Sequence, residues 1–151
     1  MQQDDELKEV FLASGTKQAP EGAIDFFFIR PSKTSIYVLN PDTIIAAAAS
    51  VKSILLYVRI HPASPYYRTF QLKNITMEEL AARLKNYPYV QCHKQSLFNI
   101  HYFAGIEGDE ILLTCKIDKH IYIGRTFKEM VMNAVQTYFF QKNCFWLFGN
   151  F

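Results

Sequence analysis

The 151-residue chain carries 16 Lys and Arg against 14 Asp and Glu, a formal net charge of +2, and half of its residues are hydrophobic. This length and apolar content suit one folded domain with or without a tail. No apolar run reaches the roughly 18 residues that a membrane-spanning helix needs. The acidic, polar start at Met1–Glu6 is unlike a secretory signal. We therefore expect a cytoplasmic protein without a membrane span.

The charge is unevenly distributed along the chain. Residues 1–24 carry two Lys against five Asp and Glu, whereas residues 50–101 carry seven Lys and Arg against two Glu. A basic segment favours a polyanionic partner, because each cation that neutralises a phosphate releases counterions. An ordinary solvated surface would give the same balance, so charge alone does not decide between the two.

Cysteine usage argues against disulfides and metal. Cys92, Cys115 and Cys144 are odd in number and widely spaced, so reduced thiols are expected. The Cys92–His93 pair has no second CxxC or HxxxH nearby to complete four zinc ligands. We predict no metal site and no cofactor. No paired carboxylates, phosphate-cradling glycine loop or nucleophile–His arrangement indicates an enzyme.

The chain begins with residues 1–24, which we interpret as an acidic linker or the end of a preceding helix. Some helical periodicity at residues 4–12 is broken by Ser14–Gly15 and by Pro20–Gly22. Structure proper is predicted to begin at Asp25. The domain boundaries that follow are 25–136 for the folded domain and 137–151 for a C-terminal extension.

From Asp25 onward, short β-rich runs alternate with turn signals, which is typical of antiparallel sheets and not of a βαβ fold. Thr43–Ala49 is ambiguous, because its four consecutive alanines favour a helix while Ile44–Ile45 favours a strand. The runs lie at residues 26–30, 35–39, 54–60, 66–70, 110–115 and 120–123. The fold class is therefore mainly β.

Two helices are predicted from capping boxes, in which a Thr hydroxyl and a Glu three residues later satisfy exposed amides. The first box is Thr76–Glu79, with a helix from Met77 to about Asn86 that stops before Pro88. The second box is Thr126–Glu129. The helix after it has an apolar stripe that we interpret as core, formed by Phe127, Met130, Val131, Ala134, Val135 and Tyr138.

Two segments carry a family resemblance. The first is Tyr89–Ile100, read as YVQCHKQSLFNI, and the second is Ile121–Lys128, read as IYIGRTFK. Together they resemble the LytTR domain, the DNA-binding half of LytR/AlgR-type response regulators. The stretches at 25–29, 42–45 and 57–61 also match in order and spacing, so the resemblance covers about residues 25–135.

The resemblance implies about ten short strands in small antiparallel sheets, with two or three short helices. It further implies a sequence-specific regulator of transcription whose loops enter the major groove of double-stranded DNA. Such a domain binds spaced repeats as a homodimer and answers to a receiver domain or a histidine kinase system. No receiver is recognisable in the sequence, so the chain is either a free-standing regulator or the C-terminal piece of a longer one.

Site residues are carried over from the family by position. Lys94 and Arg125 stand at base-contacting positions, and Lys52 and Ser53 fall in a third contact loop. Physical reasoning agrees for Arg125, because a guanidinium fork matches guanine O6 and N7. The alternative for Arg125 is a surface ion pair with Glu129, and the alternative for Lys94 is an ordinary solvated lysine. The phosphate-contacting positions are Gln91, Gln95 and Lys128.

Other residues of these segments have more ordinary interpretations. His93 lies in an alternating strand pattern and is expected to make a structural hydrogen bond. Asn99 is expected to bond the backbone at a turn. Both are therefore predicted to support the fold.

The chain also departs from the family pattern. Lys94–Gln95 replaces the usual Arg-Ser, and Ala48 and Ile54 replace residues that are commonly polar or aromatic. A second hypothesis is therefore a protein–protein interaction module on the same fold, with weak or lost DNA binding.

The segment from Gln136 to Phe151 is unusually aromatic. Burying one such side chain is worth about 1.5–3 kcal/mol, so the segment is expected to pack on the domain or on a partner. Membrane-surface anchoring is the third alternative, although only Lys142 is basic here. The large apolar groups are Phe139, Phe140, Phe145, Trp146, Phe148 and Phe151.

Overall fold

The computed structural model describes residues 3–4, 9–13, 26–32, 34–59, 61 and 66–141. The described chain is mainly β, as predicted. Its strands are β1 (Gln3–Asp4), β2 (Glu9–Ala13), β3 (Phe26–Ser32), β4 (Ser35–Leu39), β5 (Ile44–Ser50), β6 (Ser53–Val58), β7 (Arg68–Lys73), β8 (Tyr89–His93), β9 (Ser96–Asn99), β10 (Phe103–Glu107), β11 (Glu110–Leu113) and β12 (Ile121–Tyr122). Its helices are α1 (Met77–Arg83) and α2 (Lys128–Gln141), with 3-10 helices at Pro41–Thr43, Ile100–Tyr102 and Arg125–Phe127.

A six-stranded sheet forms the centre of the molecule. Its strand order is β1-β7-β6-β5-β9-β8, and all neighbours are antiparallel except the short parallel pair of β1 with β7. Two three-stranded antiparallel sheets, β10-β11-β12 and β2-β3-β4, complete the described strands. The antiparallel sheets predicted from the spacing of turn signals are therefore confirmed.

The alanine run adopts strand β5, which resolves the ambiguity at Thr43–Ala49. Its residues from Ile44 to Ala48 are buried, because β5 pairs with β6 on one side and with β9 on the other. Helix propensity favours Ala by only tenths of a kcal/mol per residue, so burial between two partner strands outweighs it. The register of β5 against β6 shifts between Ile44 and Ala46, as at a β-bulge.

The central sheet separates two apolar clusters. Along β6, Ile54, Leu56 and Val58 belong to one cluster, while Leu55 and Tyr57 border the other. The first cluster is closed by α1, and the second by α2 together with strands β11 and β12. Because successive strand residues point to opposite faces, this period of two places one helix on each face of the sheet.

The two predicted capping boxes have different outcomes. At α1, the Thr76 hydroxyl accepts from the Glu79 amide at 3.1 Å and the Glu79 carboxylate accepts from the Thr76 amide at 2.9 Å. The second box is wrong. Gly124 is the N-cap of the 3-10 helix Arg125–Phe127 and makes no side-chain cap bond, so Thr126 lies inside the helical segment. The helical segment begins directly after Gly124, whose amide donates a hydrogen bond to the Cys92 carbonyl on β8.

The apolar stripe of α2 is largely confirmed. Val131 and Val135 are buried, and Ala134 and Tyr138 pack partly buried against the same cluster. Met130, by contrast, is 47% exposed, so its inclusion in the core stripe is wrong.

A buried polar network ties down one end of strands β5, β8 and β9. The Asn99 side chain is fully buried; its Nδ2 donates to the Ile44 carbonyl at 3.0 Å, and its Oδ1 accepts from the His101 amide at 2.9 Å. The Tyr89 hydroxyl donates to the carbonyl oxygen of Pro41 and lies 3.2 Å from that of Ile44. Asn99 therefore has the backbone-bonding role that the sequence predicts.

The structure differs from the sequence-based predictions at both ends of the chain. Within residues 1–24 the described backbone is extended at β1 and β2, where periodicity favours a linker or helix. Helix α2 continues to Gln141, so residues 137–141 form its last turn. Phe139 packs on Phe103 with ring centroids 6.0 Å apart, and Phe140 is 60% exposed. The remaining aromatic residues of the extension lie outside the described residues. Within the described part, no helix has the length and apolar character needed to cross a membrane.

Candidate functional site

Two tight hairpin turns lie side by side at one end of the central sheet. Val51–Lys52 joins β5 to β6, and Lys94–Gln95 joins β8 to β9. Because β5 and β9 are antiparallel partners, with Ala48 opposite Ser96, the end of β5 meets the start of β9. The Ala49 amide, near the end of β5, donates to the Gln95 carbonyl of the second turn at 2.8 Å and so holds the two turns close together. We call this end of the sheet, together with Gly124–Lys128, the basic edge.

In the first turn Lys52 is exposed, whereas Ser53 is buried. Lys52 is exposed and has φ of 58°, a left-handed conformation that lets two residues close the hairpin. Ser53 is the first residue of β6 and only 8% exposed, and its hydroxyl accepts from Gln71 Nε2 at 3.0 Å. Of the two residues assigned to this contact loop, Lys52 alone is free to reach a ligand without breaking a hydrogen bond.

The second turn presents both Lys94 and Gln95, which are exposed. Its shape is set by His93, whose Nδ1 accepts from the Gln95 amide at 3.1 Å. This is the structural hydrogen bond predicted for His93. Gln91 is half-buried on β8, and its Nε2 donates to the His93 carbonyl at 3.2 Å. Gln91 therefore supports the hairpin, and its amide would have to turn to reach a phosphate.

The third segment is held against β8 by Gly124. The Gly124 amide donates to the Cys92 carbonyl at 2.7 Å. A Cβ on Gly124 would lie 3.1 Å from Phe127 Cδ2 and 3.3 Å from His93 Cδ2, which is tighter than ordinary van der Waals contact. Glycine at position 124 thus allows the segment to approach β8 closely, and this places the backbone of Arg125 beside the end of that strand.

Arg125 and Lys128 extend the basic edge beyond the hairpins. Both are exposed, Arg125 as the first residue of the 3-10 helix and Lys128 as the first residue of α2. The alternative interpretation of Arg125 as a surface partner of Glu129 has no support, because these two described residues form no ion pair. Its guanidinium is therefore not held by that carboxylate.

Two further lysines lie at the same edge, and sequence reasoning did not single them out. Lys73 is exposed at the end of β7, paired in register with Ser53. Lys119 is exposed in the loop before β12 and lines a small cavity with Gln95. Strand pairing brings Lys73 here, and the packing of the small sheet brings Lys119. No local sequence signal marks either position.

Neither of the departures at Ala48 and Ile54 lies in an exposed turn. Each is 2% exposed, and Ile54 lies on β6 inside a core cluster and not in the turn. Both side chains are buried in the core clusters, so apolar residues suit these two positions. The departure that remains at the surface is Lys94–Gln95.

The two described cysteines, Cys92 beside this edge and Cys115, are buried thiols. Cys92 is fully buried, and burial raises the pKa of its thiol to about 12. Burial also raises the pKa of Cys115. Protonated thiols are poor nucleophiles and poor metal ligands. Among the described residues, no group of three or more His, Cys, Asp or Glu side chains is placed to hold a metal ion.

Comparison with known proteins agrees with this architecture. A family model described as the LytTr DNA-binding domain matches residues 34–136. The structure is similar to the LytTr DNA-binding domain of a protein from Bacillus cereus that is described as a methyl-accepting/DNA response regulator. The TM-score is 0.52 and the identity 12%, over 74% of this chain and 96% of that one. No curated protein sequence matches the chain.

Proposed function

Because the chain belongs to the LytTR family of DNA-binding domains, we propose that its basic edge reads duplex DNA sequence-specifically. In this proposal the base-contacting residues are Lys52, Ser53, Lys94 and Arg125, and the phosphate-contacting residues are Gln91, Gln95 and Lys128. The turn side chains enter the major groove, whose base edges carry a distinct donor and acceptor pattern for each base pair.

The observation that carries the proposal is that three cationic side chains from distant parts of the sequence lie at the same end of the central sheet. Three segments far apart in sequence present Lys52, Lys94 and Arg125 at one end of one sheet. All three side chains are exposed, and all three are cationic. A cluster of cations on a rigid edge matches the phosphates and the guanine acceptors of a major groove.

The individual roles follow from side-chain chemistry. Arg125 can donate two parallel hydrogen bonds to guanine O6 and N7, which is the commonest specific contact to a base. Lys94 is a point donor and meets the same acceptors with less directional preference. Ser53 contributes to base contact only if its hydroxyl leaves Gln71, so we place it last among the base-contacting residues.

The regulatory setting is part of the proposal. The domain acts as a regulator of transcription, binds spaced repeats as a homodimer, and serves as the output of a two-component system. These features come from the family resemblance. An upstream receiver domain, or a separate histidine kinase system, would supply the input.

The direct test is selection from random duplex DNA, followed by measured affinity on the selected site and on a scrambled duplex. We expect tighter binding to the selected site, and a steep fall of log affinity with log salt because several phosphates are contacted. Equal affinity on both duplexes, or no binding at about 50 mM salt, would contradict sequence-specific reading.

The exposed face of α2 favours a second candidate, a protein–protein interaction module. Met130 is 47% exposed, Met132 is 41% exposed and Phe140 is 60% exposed. Exposed methionines and aromatics are common at contact surfaces. The test is the double variant Met130→Lys, Met132→Lys. If this face is an interface between copies of the chain, sedimentation equilibrium shows a lower mass for the variant at unchanged thermal stability, whereas equal masses would contradict that interface.

A further inference from the structure

A small cavity lies beside the Lys94–Gln95 turn, between that hairpin and the loop that precedes β12. Its volume is about 100 Å³. Two alanines of β5 line it together with His93, Gln95, Ser96, Lys119, His120 and Tyr122. The cavity therefore joins the basic edge to a loop that has no role in the proposed function.

The lining of this cavity consists of hydrogen-bond donors without a carboxylate. Lys119 supplies a permanent positive charge, Gln95 an amide, and Ser96 and Tyr122 hydroxyls. Such a set suits an anion with several acceptor oxygens, which a phosphate is. A volume of about 100 Å³ has room for one such group and is small for a drug-sized ligand.

Both histidines of the cavity are held by the protein. His93 Nδ1 accepts from the Gln95 amide, so in the neutral ring Nε2 carries the proton and is a donor. His120 Nδ1 lies 2.7 Å from Glu110 Oε2, and its ring stacks on Tyr122 with centroids 6.0 Å apart. Among the described residues, the carboxylate in contact with these rings is that of Glu110, which holds His120 at Nδ1 and does not line the cavity.

We infer that this cavity binds one backbone phosphate of the DNA, with Lys119 as the charge that neutralises it. This inference rests on the proposed function and extends the contact surface to the loop before β12. The phosphate would lie beside the turn that carries Lys94, so its capture sets the position of that turn against the base edges. Phosphate contacts fix register in this way without reading sequence.

The test compares Lys119→Ala with Lys116→Ala. Lys116 is also exposed and lies three residues earlier, but it does not line the cavity. Lys116→Ala therefore removes the same positive charge as Lys119→Ala without changing the cavity. Affinity is measured by fluorescence anisotropy on the selected duplex and on a scrambled one, across a salt series. In parallel, single phosphates of the selected duplex are replaced, one at a time, by uncharged methylphosphonate.

Lys119→Ala is expected to weaken both duplexes about fivefold to tenfold at 0.1 M salt and to reduce the salt slope by about 0.9. One methylphosphonate position should weaken binding by wild type and by Lys116→Ala, but not by Lys119→Ala. Two results would show that the cavity holds no phosphate while leaving the proposed function intact. In the first, Lys119→Ala binds both duplexes as Lys116→Ala does. In the second, every methylphosphonate substitution weakens binding by Lys119→Ala as much as it weakens binding by wild type. If wild type binds no duplex, both the proposed function and this inference fail.

Discussion

The two ends of the central sheet use polar side chains in opposite ways. At one end, Asn99 and Tyr89 point inward, and their hydrogen bonds are made with backbone groups of the same molecule. At the other end, Lys52, Lys94 and Arg125 are exposed. The same strands, β5 and β9, run between the two ends.

If the basic edge binds DNA as proposed, rigidity and recognition are divided between the two ends of one strand pair. A buried amide with all of its partners inside the protein stabilises one geometry, because losing a partner leaves an unsatisfied group out of water. An exposed cation contributes little to the fold and keeps its charge for a ligand. We therefore expect substitutions at the first end to change stability, and substitutions at the second end to change DNA binding.

The largest effect is expected for Asn99→Ala. Removing the buried amide leaves the Ile44 carbonyl and the His101 amide without this partner, which should lower the free energy of unfolding by about 2–4 kcal/mol. Urea denaturation measures the change, and Asn133→Ala on the exposed face of α2 is the control. An unfolding free energy equal to that of the control would show that the network does not hold this end of the sheet.

The next effect belongs to the basic edge. Arg125→Ala is expected to cost about 1–3 kcal/mol of binding on the selected site and to relax preference at one base pair. Lys128→Ala should weaken all sequences alike and reduce the salt slope by about one. Competition anisotropy on single-base variants of the site separates the two. Identical profiles for both variants would show that the assigned roles are wrong.

A smaller effect is expected for Tyr89→Phe, and it depends on pH. Burial raises the pKa of Tyr89 well above its ordinary value of 10.0. Its neutral form is therefore favoured in the folded state, so this stability is fully present below the ordinary pKa and is lost as pH rises through the raised value. At neutral pH the variant should lose about 1 kcal/mol with its hydrogen bond.

The measurement for Tyr89→Phe is urea denaturation from pH 7 to pH 11. Wild type should lose more stability over this range than the variant does, because the phenylalanine has no proton to release. Parallel curves would mean that Tyr89 does not contribute to the alkaline loss.

The smallest effects concern the first turn. Lys52→Asn removes the charge and keeps a residue that tolerates φ of 58°, so it should weaken binding without loss of stability. Ser53→Ala should change binding less than this, by under about 0.5 kcal/mol, because its hydroxyl already pairs with Gln71. Titration of both variants on the selected site decides, and a larger loss for Ser53→Ala would make Ser53 the reading residue of this turn.

Much of the fold could be predicted from local patterns in the sequence. Turn signals and β-rich runs gave the antiparallel class, and the Thr76–Glu79 box gave the start of α1. The strand at Ile44–Ser50 could not be decided, because pairing on both sides outweighs the helix preference of alanine. The start of the last helix was misplaced because Gly124 is held by contacts with β8 and Phe127 that no capping rule contains.

The candidate site was predictable where it follows the family segments and not where it depends on packing. Lys52, Lys94 and Arg125 were found by position, and the structure brings them to one edge. Burial of Ser53 follows from its place at the start of a paired strand, which turn signals do not reveal. Lys119 reaches the edge only because a second sheet packs against the first.

The hydrogen bond between the Ala49 amide and the Gln95 carbonyl also has a consequence for engineering. The separation of the two hairpin tips is set by backbone pairing of β5 with β9, and not by the residues at the tips. The two turns, Val51–Lys52 and Lys94–Gln95, therefore keep a constant spacing, and a replacement for Lys52 must tolerate its φ of 58°. If the basic edge reads DNA as proposed, new tip residues could be grafted there to alter which bases are contacted, while the distance between the two turns stays unchanged.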